Sequence, residues 1–349
     1  MKKHLFYLGA ALLFLSSCSK DSENASITQA SASKMLASND NSDYNRYIIK
    51  FNEDALNLPD NQLILSKEQL RLSLTGFFND INLNPTQVVH WYKNVYPGIA
   101  TPLSKTQLEA VLQHPLVSLV SADEIITLDS FIEENPRINE KAQNTPWGIN
   151  RVGSADATGK TAWILDTGVD LDHPDLNVDL LRSQSFASGD GTLLSNGGDD
   201  NHGHGTHVAG TIAAKDNNIG VIGVAANATV VSVKVLGGNG SGLITDVIAG
   251  IDYVAGLSLP GDVANMSLSG GANSLVDLAV QSASLSGTWY VMAAGNDRRD
   301  ANNNSPARAN GPFLVTVSAF RSGDILAGFS NYGNPPIEYA APGQSIYST

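Results

Sequence analysis

Between Ala162 and Ser318 short apolar runs alternate with helix-patterned stretches, and this alternation limits the possible folds more than any other feature. Ala162-Trp163-Ile164-Leu165, Val230–Val235, Val263–Leu268, Trp289–Ala293 and Phe313–Ser318 are short and largely apolar, which predicts buried strands. His207–Ala214, Thr245–Ala255 and Ser274–Leu285 between them carry helical patterning. Strand, helix, strand in repetition requires right-handed crossovers, so the expected fold is α/β with a doubly wound, mostly parallel sheet. The hydrophobic content of 42% and the 32 glycines fit that compact class rather than disorder. Ligand sites in such sheets form outside the carboxyl ends of the strands. No internal repeat at a fixed period is present.

A smaller α+β unit precedes this region. Tyr47–Phe51 reads as a strand, and Ser66–Phe78 as a helix with Leu70, Leu74, Phe77 and Phe78 at helical spacing. Val88–Val95 and the stretch around Ile99 predict a hairpin. Ser104 opens a second helix with Gln107 as its capping-box partner, burying Leu108, Val111 and Leu112 and ending at His114-Pro115. Val117–Val120 and Ile125–Leu128 are closing strands. The order strand, helix, two strands, helix, strand is the split βαβ, ferredoxin-like pattern.

The N-terminus reads as an export signal. Lys2 and Lys3 precede the apolar run Leu5–Leu15, whose eleven residues fall short of the roughly 20 that span a bilayer. Residues 19–43 are polar and aperiodic and read as a solvated tether. Leu15-Ser16-Ser17-Cys18 resembles the lipobox of bacterial lipoproteins, which implies lipidation of Cys18 and an exported chain anchored to the bacterial cell envelope; an ordinary secretory signal with an incidental cysteine is the alternative. Cys18 is the only cysteine, so the exported domains hold no disulfide. The net charge of −13, with Lys2-Lys3 and Arg298-Arg299 as the only paired basic residues, argues against a nucleic-acid partner.

Three motifs carry chemistry. Asp166 ends an apolar strand in Asp166-Thr167-Gly168, where a carboxylate can point into a cleft and orient an imidazole, or merely cap a turn. His202-Gly203-His204-Gly205-Thr206-His207-Val208-Ala209-Gly210-Thr211 surrounds its histidines with small residues that let a helix start pack tightly. A zinc-protease helix would place histidines four apart with a glutamate between, and no glutamate is present. Asn296 follows the strand Val291-Met292-Ala293, where its amide can donate to a developing oxyanion or simply form a turn.

Together, Asp-Thr-Gly, His-Gly-Thr-His-Val-Ala-Gly-Thr and Ala-Ala-Gly-Asn, in this order, resemble the subtilases, a family of serine endopeptidases acting on polypeptides. The likeness runs from about Tyr47 to Thr349. It implies that Asp166 orients the imidazole, that His204 is the general base and then the acid, and that Asn296 is an oxyanion donor; His202 and His207 have no catalytic part. It assigns substrate pairing to Gly240-Ser241-Gly242 and Ser267-Leu268-Ser269-Gly270, and the first pocket to Ala293, Ala294 and Gly295. It also implies a structural calcium, held by Gln143, Asp175, Asn217 and the carbonyls of Lys215, Ile219 and Val221. Tyr47–Phe51 and Leu103–Ala110 through Leu128 resemble the family's inhibitory propeptide, whose tail lies in the active site. Glu140-Lys141 and Ala142-Gln143 align with the maturation junction. The expected division is therefore residues 1–17 signal, 18–43 tether, 44–130 propeptide, 131–141 processing linker and 142–349 peptidase.

The family nucleophile sits in a Gly-Thr-Ser-Met-Ala segment, which the resemblance places beyond Ala341–Thr349. The expectation is a serine past the end of this chain and an inactive chain without it. Ser267, Ser330 and Ser348 lie in no such context. The alternative is a non-catalytic protein that binds peptide or acts as a propeptide-type inhibitor.

Overall fold

The computed structural model describes residues 46–56, 66–128, 142–188 and 197–349. The signal, the tether, Cys18 and the processing linker up to Lys141 lie outside the described residues.

The first unit is a four-stranded antiparallel sheet of β1 (Arg46–Phe51), β2 (His90–Tyr92), β3 (Gly98–Pro102) and β4 (Val117–Ala122), in the order β2-β3-β1-β4. Alternation along β1 gives the sheet two apolar faces. Ile49 and Phe51 join Leu70, Leu74, Phe77 and Val111 in the unit's own core, while Ile48 joins the core of the larger unit. The helix predicted over Ser66–Phe78 is two helices, α1 (Lys67–Ser73) and α2 (Thr75–Asp80), which meet at Leu74. Hydroxyls break the run: Ser73 Oγ donates to the Leu70 carbonyl and Thr75 Oγ1 to that of Leu72. Ser104 and Gln107 form the expected capping box at the head of α3 (Lys105–Gln113). Of its predicted buried face only Val111 is fully buried; Leu108 and Leu112 pack at the margin.

The larger unit is built on a nine-stranded sheet. After α4 (Trp147–Val152), its parallel core comprises β6 (Thr161–Asp166), β7 (Thr229–Lys234), β9 (Val263–Met266), β10 (Trp289–Ala293), β11 (Leu314–Arg321) and β12 (Ile337–Pro342). Strand β7 lies on one side of β6 and β9 on the other, so the winding reverses at β6. The crevice outside its carboxyl end is a topological switch point. One sheet face buries Trp163, Leu165, Val231 and Val233 under α6 (Ile244–Leu257) and α7 (Ser274–Ser284). The other buries Ala162, Ile164 and Val230 against Ala209 and Ala213 of α5 (His204–Ala213).

Two further departures from the sequence reading position the site. Helix α5 starts at His204, three residues before the predicted His207, because Gly203 (φ 100°) turns the chain there and a carboxylate takes up the first N–H groups. The closing strand, β5 (Ile125–Thr127), does not join the first unit's sheet. It pairs antiparallel with β8 (Ser241–Leu243) of the larger unit, matching Thr127 with Ser241 and Ile126 with Gly242.

Candidate active site

The Asp166 side chain is fully buried at the carboxyl end of β6. Its Oδ1 accepts from the Thr167 N–H and from Nδ1 of His204, each at 2.7 Å. His204 stands in the first turn of α5, its side chain 18% exposed. This close approach needs glycine: a Cβ on Gly205 would lie 2.0 Å from the Gly168 carbonyl oxygen, and Gly168 itself has φ 109°. Burial pulls the pKa of His204 down, but the charge and hydrogen bond of Asp166, with Asp200 adding to them, outweigh it and leave the imidazole above its ordinary value.

The imidazole opens onto a cleft of about 250 Å³. Of the residues assigned to substrate, Ser267, Leu268, Ser269, Gly270, Ala293 and Gly295 line it, as does Asn296. Ala294 is buried behind the wall, its carbonyl accepting from Asn331. Gly240, Ser241 and Gly242 form the opposite edge, where the Gly240 carbonyl accepts from the Leu128 N–H. Strand β5 runs along this edge, and Ile126 presses so near Gly270 that a Cβ there would approach it to 2.9 Å. The chain's own segment, Ile125–Leu128, thus forms one wall of the cleft beside His204.

The predicted cation ligands meet at one loop. Asp175 is buried; its Oδ1 accepts from Asn217 and its Oδ2 from the Val221 N–H. Gln143 Nε2 donates to the carbonyls of Lys215 and Val221, and the Ile219 N–H bonds Asn217 Oδ1. Burial raises the pKa of Asp175 against the opposing hydrogen bonds. Among the described residues no three His, Cys, Asp or Glu side chains gather as a metal site.

The three unassigned serines have other partners. Ser267 accepts from Asn265, Ser330 is buried and accepts from the Ala319 N–H, and Ser348 donates to the His207 carbonyl. Two residues absent from the sequence reading brace the site. Asn331 accepts from the N–H groups of Asp297 and Arg299 and donates to the Ala294 carbonyl, fixing the loop that carries Asn296. Asp200 ties the Asp166 turn to α5. Asn331 had no local signal, because its contacts are made only in the folded chain. Asp200, whose partners His202, Gly203 and Thr206 are close in sequence, stands just ahead of the histidine motif and was readable there as a helix-start acceptor.

Family models match most of the described chain: one described as "Subtilase family" over residues 159–349 and one described as "Peptidase inhibitor I9" over residues 46–129. "Subtilisin-like proteinase Spm1" of Pyricularia oryzae is 34% identical over 97% of this chain and 69% of its own length. "Alkaline serine exoprotease A" of Vibrio alginolyticus is 34% identical over 91% and 58%, and "Extracellular serine proteinase" of Thermus sp. is 33% identical over 100% and 83%. The chain therefore spans less than two thirds of some of these relatives. A solved "cold adapted subtilisin-like serine proteinase" superposes with a TM-score of 0.52 at 38% identity, covering 59% of this chain and 76% of that one.

Proposed function

The chain belongs to the subtilase family, and on that premise we propose that it is the precursor of an exported serine endopeptidase restrained by its own N-terminal domain. One observation carries the reading: the Asp166–His204 pair stands at the end of a cleft one wall of which is a strand of the same chain, paired with the Ser241–Leu243 edge. With Nδ1–H bonded to Asp166, the neutral imidazole keeps its lone pair on Nε2, the atom that takes a proton from an attacking hydroxyl and returns it to the leaving amine. Asp166 stabilises the imidazolium formed in between. Asn296, exposed on the cleft wall, donates to the developing oxyanion, a contribution of about 10²–10³ in kcat. That hydroxyl is assigned to none of Ser267, Ser330 or Ser348.

Substrate binds as an added strand where β5 now lies, between Gly240-Ser241-Gly242 and Ser267-Leu268-Ser269-Gly270, with Ala293 and Gly295 shaping the first pocket and Ala294 buried behind its wall. Residues 44–130 act as the intramolecular inhibitor, 131–141 as the processing linker and 142–349 as the peptidase. Maturation is assigned to the Lys141–Ala142 bond. Leu5–Leu15 and Cys18 act as export signal and lipid anchor, so Cys18→Ala should release the protein from the membrane fraction; equal acyl labelling of that variant refutes the anchor.

The calcium loop fits a hard cation. Its oxygen donors are Asp175, Gln143, Asn217 and the carbonyls of Lys215, Ile219 and Val221, and neutral amide N–H groups now meet several of those oxygens. A bound cation would supply structural cross-linking there, away from the dyad.

The test uses protein expressed from the full reading frame. Casein hydrolysis is expected, lost in His204→Ala and Asp166→Ala, with Ala142 as the first residue of the matured form. Hydrolysis surviving both substitutions overturns the assignment.

A further inference from the structure

Asp200 stands four residues ahead of His204 and spends both carboxylate oxygens on the frame of the dyad. Oδ1 accepts from Thr167 Oγ1 (3.0 Å) and from the N–H groups of His202 (2.9 Å) and Gly203 (3.0 Å). Oδ2 accepts from the Thr206 N–H (3.0 Å) and hydroxyl (2.6 Å). Thr167 Oγ1 accepts in turn from the Gly205 N–H, and the Thr167 N–H donates to Asp166. The circuit is closed: Asp166, Thr167, Asp200, the first turn of α5, His204, and back to Asp166 through the 2.7 Å bond.

A carboxylate that only capped a helix would need one oxygen and the amides of its first turn. Asp200 also holds the residue next to the catalytic aspartate, so the two halves of the dyad, from separate elements, move as one body. Its negative charge sits at the N-terminal end of α5, where it offsets the helix dipole that disfavours a protonated His204. We propose that Asp200 is a positioning residue for His204, fixing the imidazole against Asp166 and supplying a second negative charge to the imidazolium. This rests on the peptidase reading for its effect on rate, but not for its effect on the ring.

The charged and titratable groups around His204 are Asp166 on β6, Asp200, the His202 ring (centroids 6.4 Å apart) and Lys234 of β7, whose ammonium bonds the Thr167 carbonyl and Asn201. Among these Asp200, with Asp166, is what holds the imidazole's pKa up.

The first arm follows the His204 ring by ¹⁵N NMR in the 349-residue chain. Asp200→Asn, which keeps the shape and removes the charge, should lower its titration midpoint. The second arm uses the enzyme from the full reading frame: kcat should fall about 10- to 100-fold with KM little changed, and the acid limb of the rate profile should move to lower pH. If Asp200→Asn does not fold, Thr167→Val decides the positioning part. It cuts the hydroxyl link and leaves the charge, so kcat should fall with the His204 midpoint in place. An unmoved midpoint in Asp200→Asn, or unchanged kcat in the variant that folds, overturns the proposal. Wild-type protein from the full reading frame that shows no hydrolysis refutes the peptidase reading alone, since the NMR arm still reports on Asp200 and His204.

Discussion

Asp166 accepts two hydrogen bonds through one oxygen while the other, Oδ2, is buried with no partner among the described residues. Its charge therefore acts mainly toward His204. Burial of His204 works against protonation, and the attraction of Asp166, through charge and hydrogen bond, wins. The sign for catalysis follows. With His204 proposed as the base in its neutral form, kcat/KM should rise with pH through a midpoint above the ordinary value of 6.5. The sign for stability is opposite: protonated His204 contributes stability below the ordinary value, and that is lost as pH rises through the raised pKa. Asp166→Asn should bring the midpoint below that of the parent and cost about 10⁴ in kcat. A pH–rate profile of both proteins checks it, and an unshifted acid limb in the variant would show that Asp166 does not set the pKa. The dyad itself was legible because its residues sit in contiguous motifs. Asn331 was not, because its hydrogen bonds join segments up to 37 residues apart, as to Ala294. The part of Asp200 that sets it apart from an ordinary cap, its bond to Thr167 33 residues away, was not legible either.

At the scale of elements, the junction between the two units is carried by α6. Its N-cap, Leu243, has no side-chain acceptor, and Asp123, just before β5, supplies one from the other unit: Oδ1 accepts from the Thr245 N–H and Oδ2 from its hydroxyl. Further along, Asp252 accepts the N–H groups of Lys93, Asn94 and Val95, and Asp246 meets His90 at 2.8 Å. Burial pushes Asp123 up to about 6, against the Thr245 hydrogen bonds and Arg46. With the folded pKa raised, the folded state holds its proton more tightly, so stability present below the ordinary carboxylate range is lost as pH rises to about 6. That loss is about 3 kcal/mol at most. Asp123→Asn should therefore shrink the fall in Tm between pH 4.5 and pH 7 by about 5 °C; an identical fall in both proteins would exclude this role. Strand patterning predicted β5 correctly as a strand but left open which edge it would join. Alternation reports that a segment has two faces, not which edge it will meet. The second closing strand pairs with the β8 edge of the larger unit instead of with β4. The Ser66–Phe78 helix divided for a local reason, the two hydroxyls near Leu74, which apolar spacing does not register.

At the scale of the whole molecule, the start of the peptidase unit is sewn to the candidate calcium loop rather than to the sheet. Asn144 bridges to Val221 and its N–H donates to the Gly220 carbonyl, while Gln143 reaches the carbonyls of Lys215 and Val221. The loop in turn is closed by Asp175: Lys215 N–H bonds its carbonyl, and a Cβ on Gly220 would lie 2.4 Å from Oδ2, so the carboxylate fills the turn. With Cys18 the one cysteine in the sequence, this loop ties the arm at residues 142–146 to the face of the sheet that packs α5 without a disulfide. Asp175 is buried with its pKa raised by burial, so without a cation it is a charge the fold must hold at a cost. A cation that binds only the folded chain adds RT ln(1 + [L]/Kd), about 2.7 kcal/mol at a hundredfold excess over Kd. For a chain of this size that corresponds to a Tm change of roughly 5–10 °C. Chelation should lower the Tm of the full-length protein by that amount, and added calcium, not magnesium, should restore it, since a loop of protein oxygens suits the larger, more flexibly coordinated ion. Asp175→Asn should give a Tm near that of the chelated parent and little further response to chelator. Gln143→Ala should lower calcium affinity with a smaller loss of stability in its absence, because it removes one ligand and leaves the buried carboxylate partnered. A parent Tm that is unmoved by excess chelator, in protein shown by elemental analysis to have lost its metal, would mean that the loop is held by its hydrogen bonds alone.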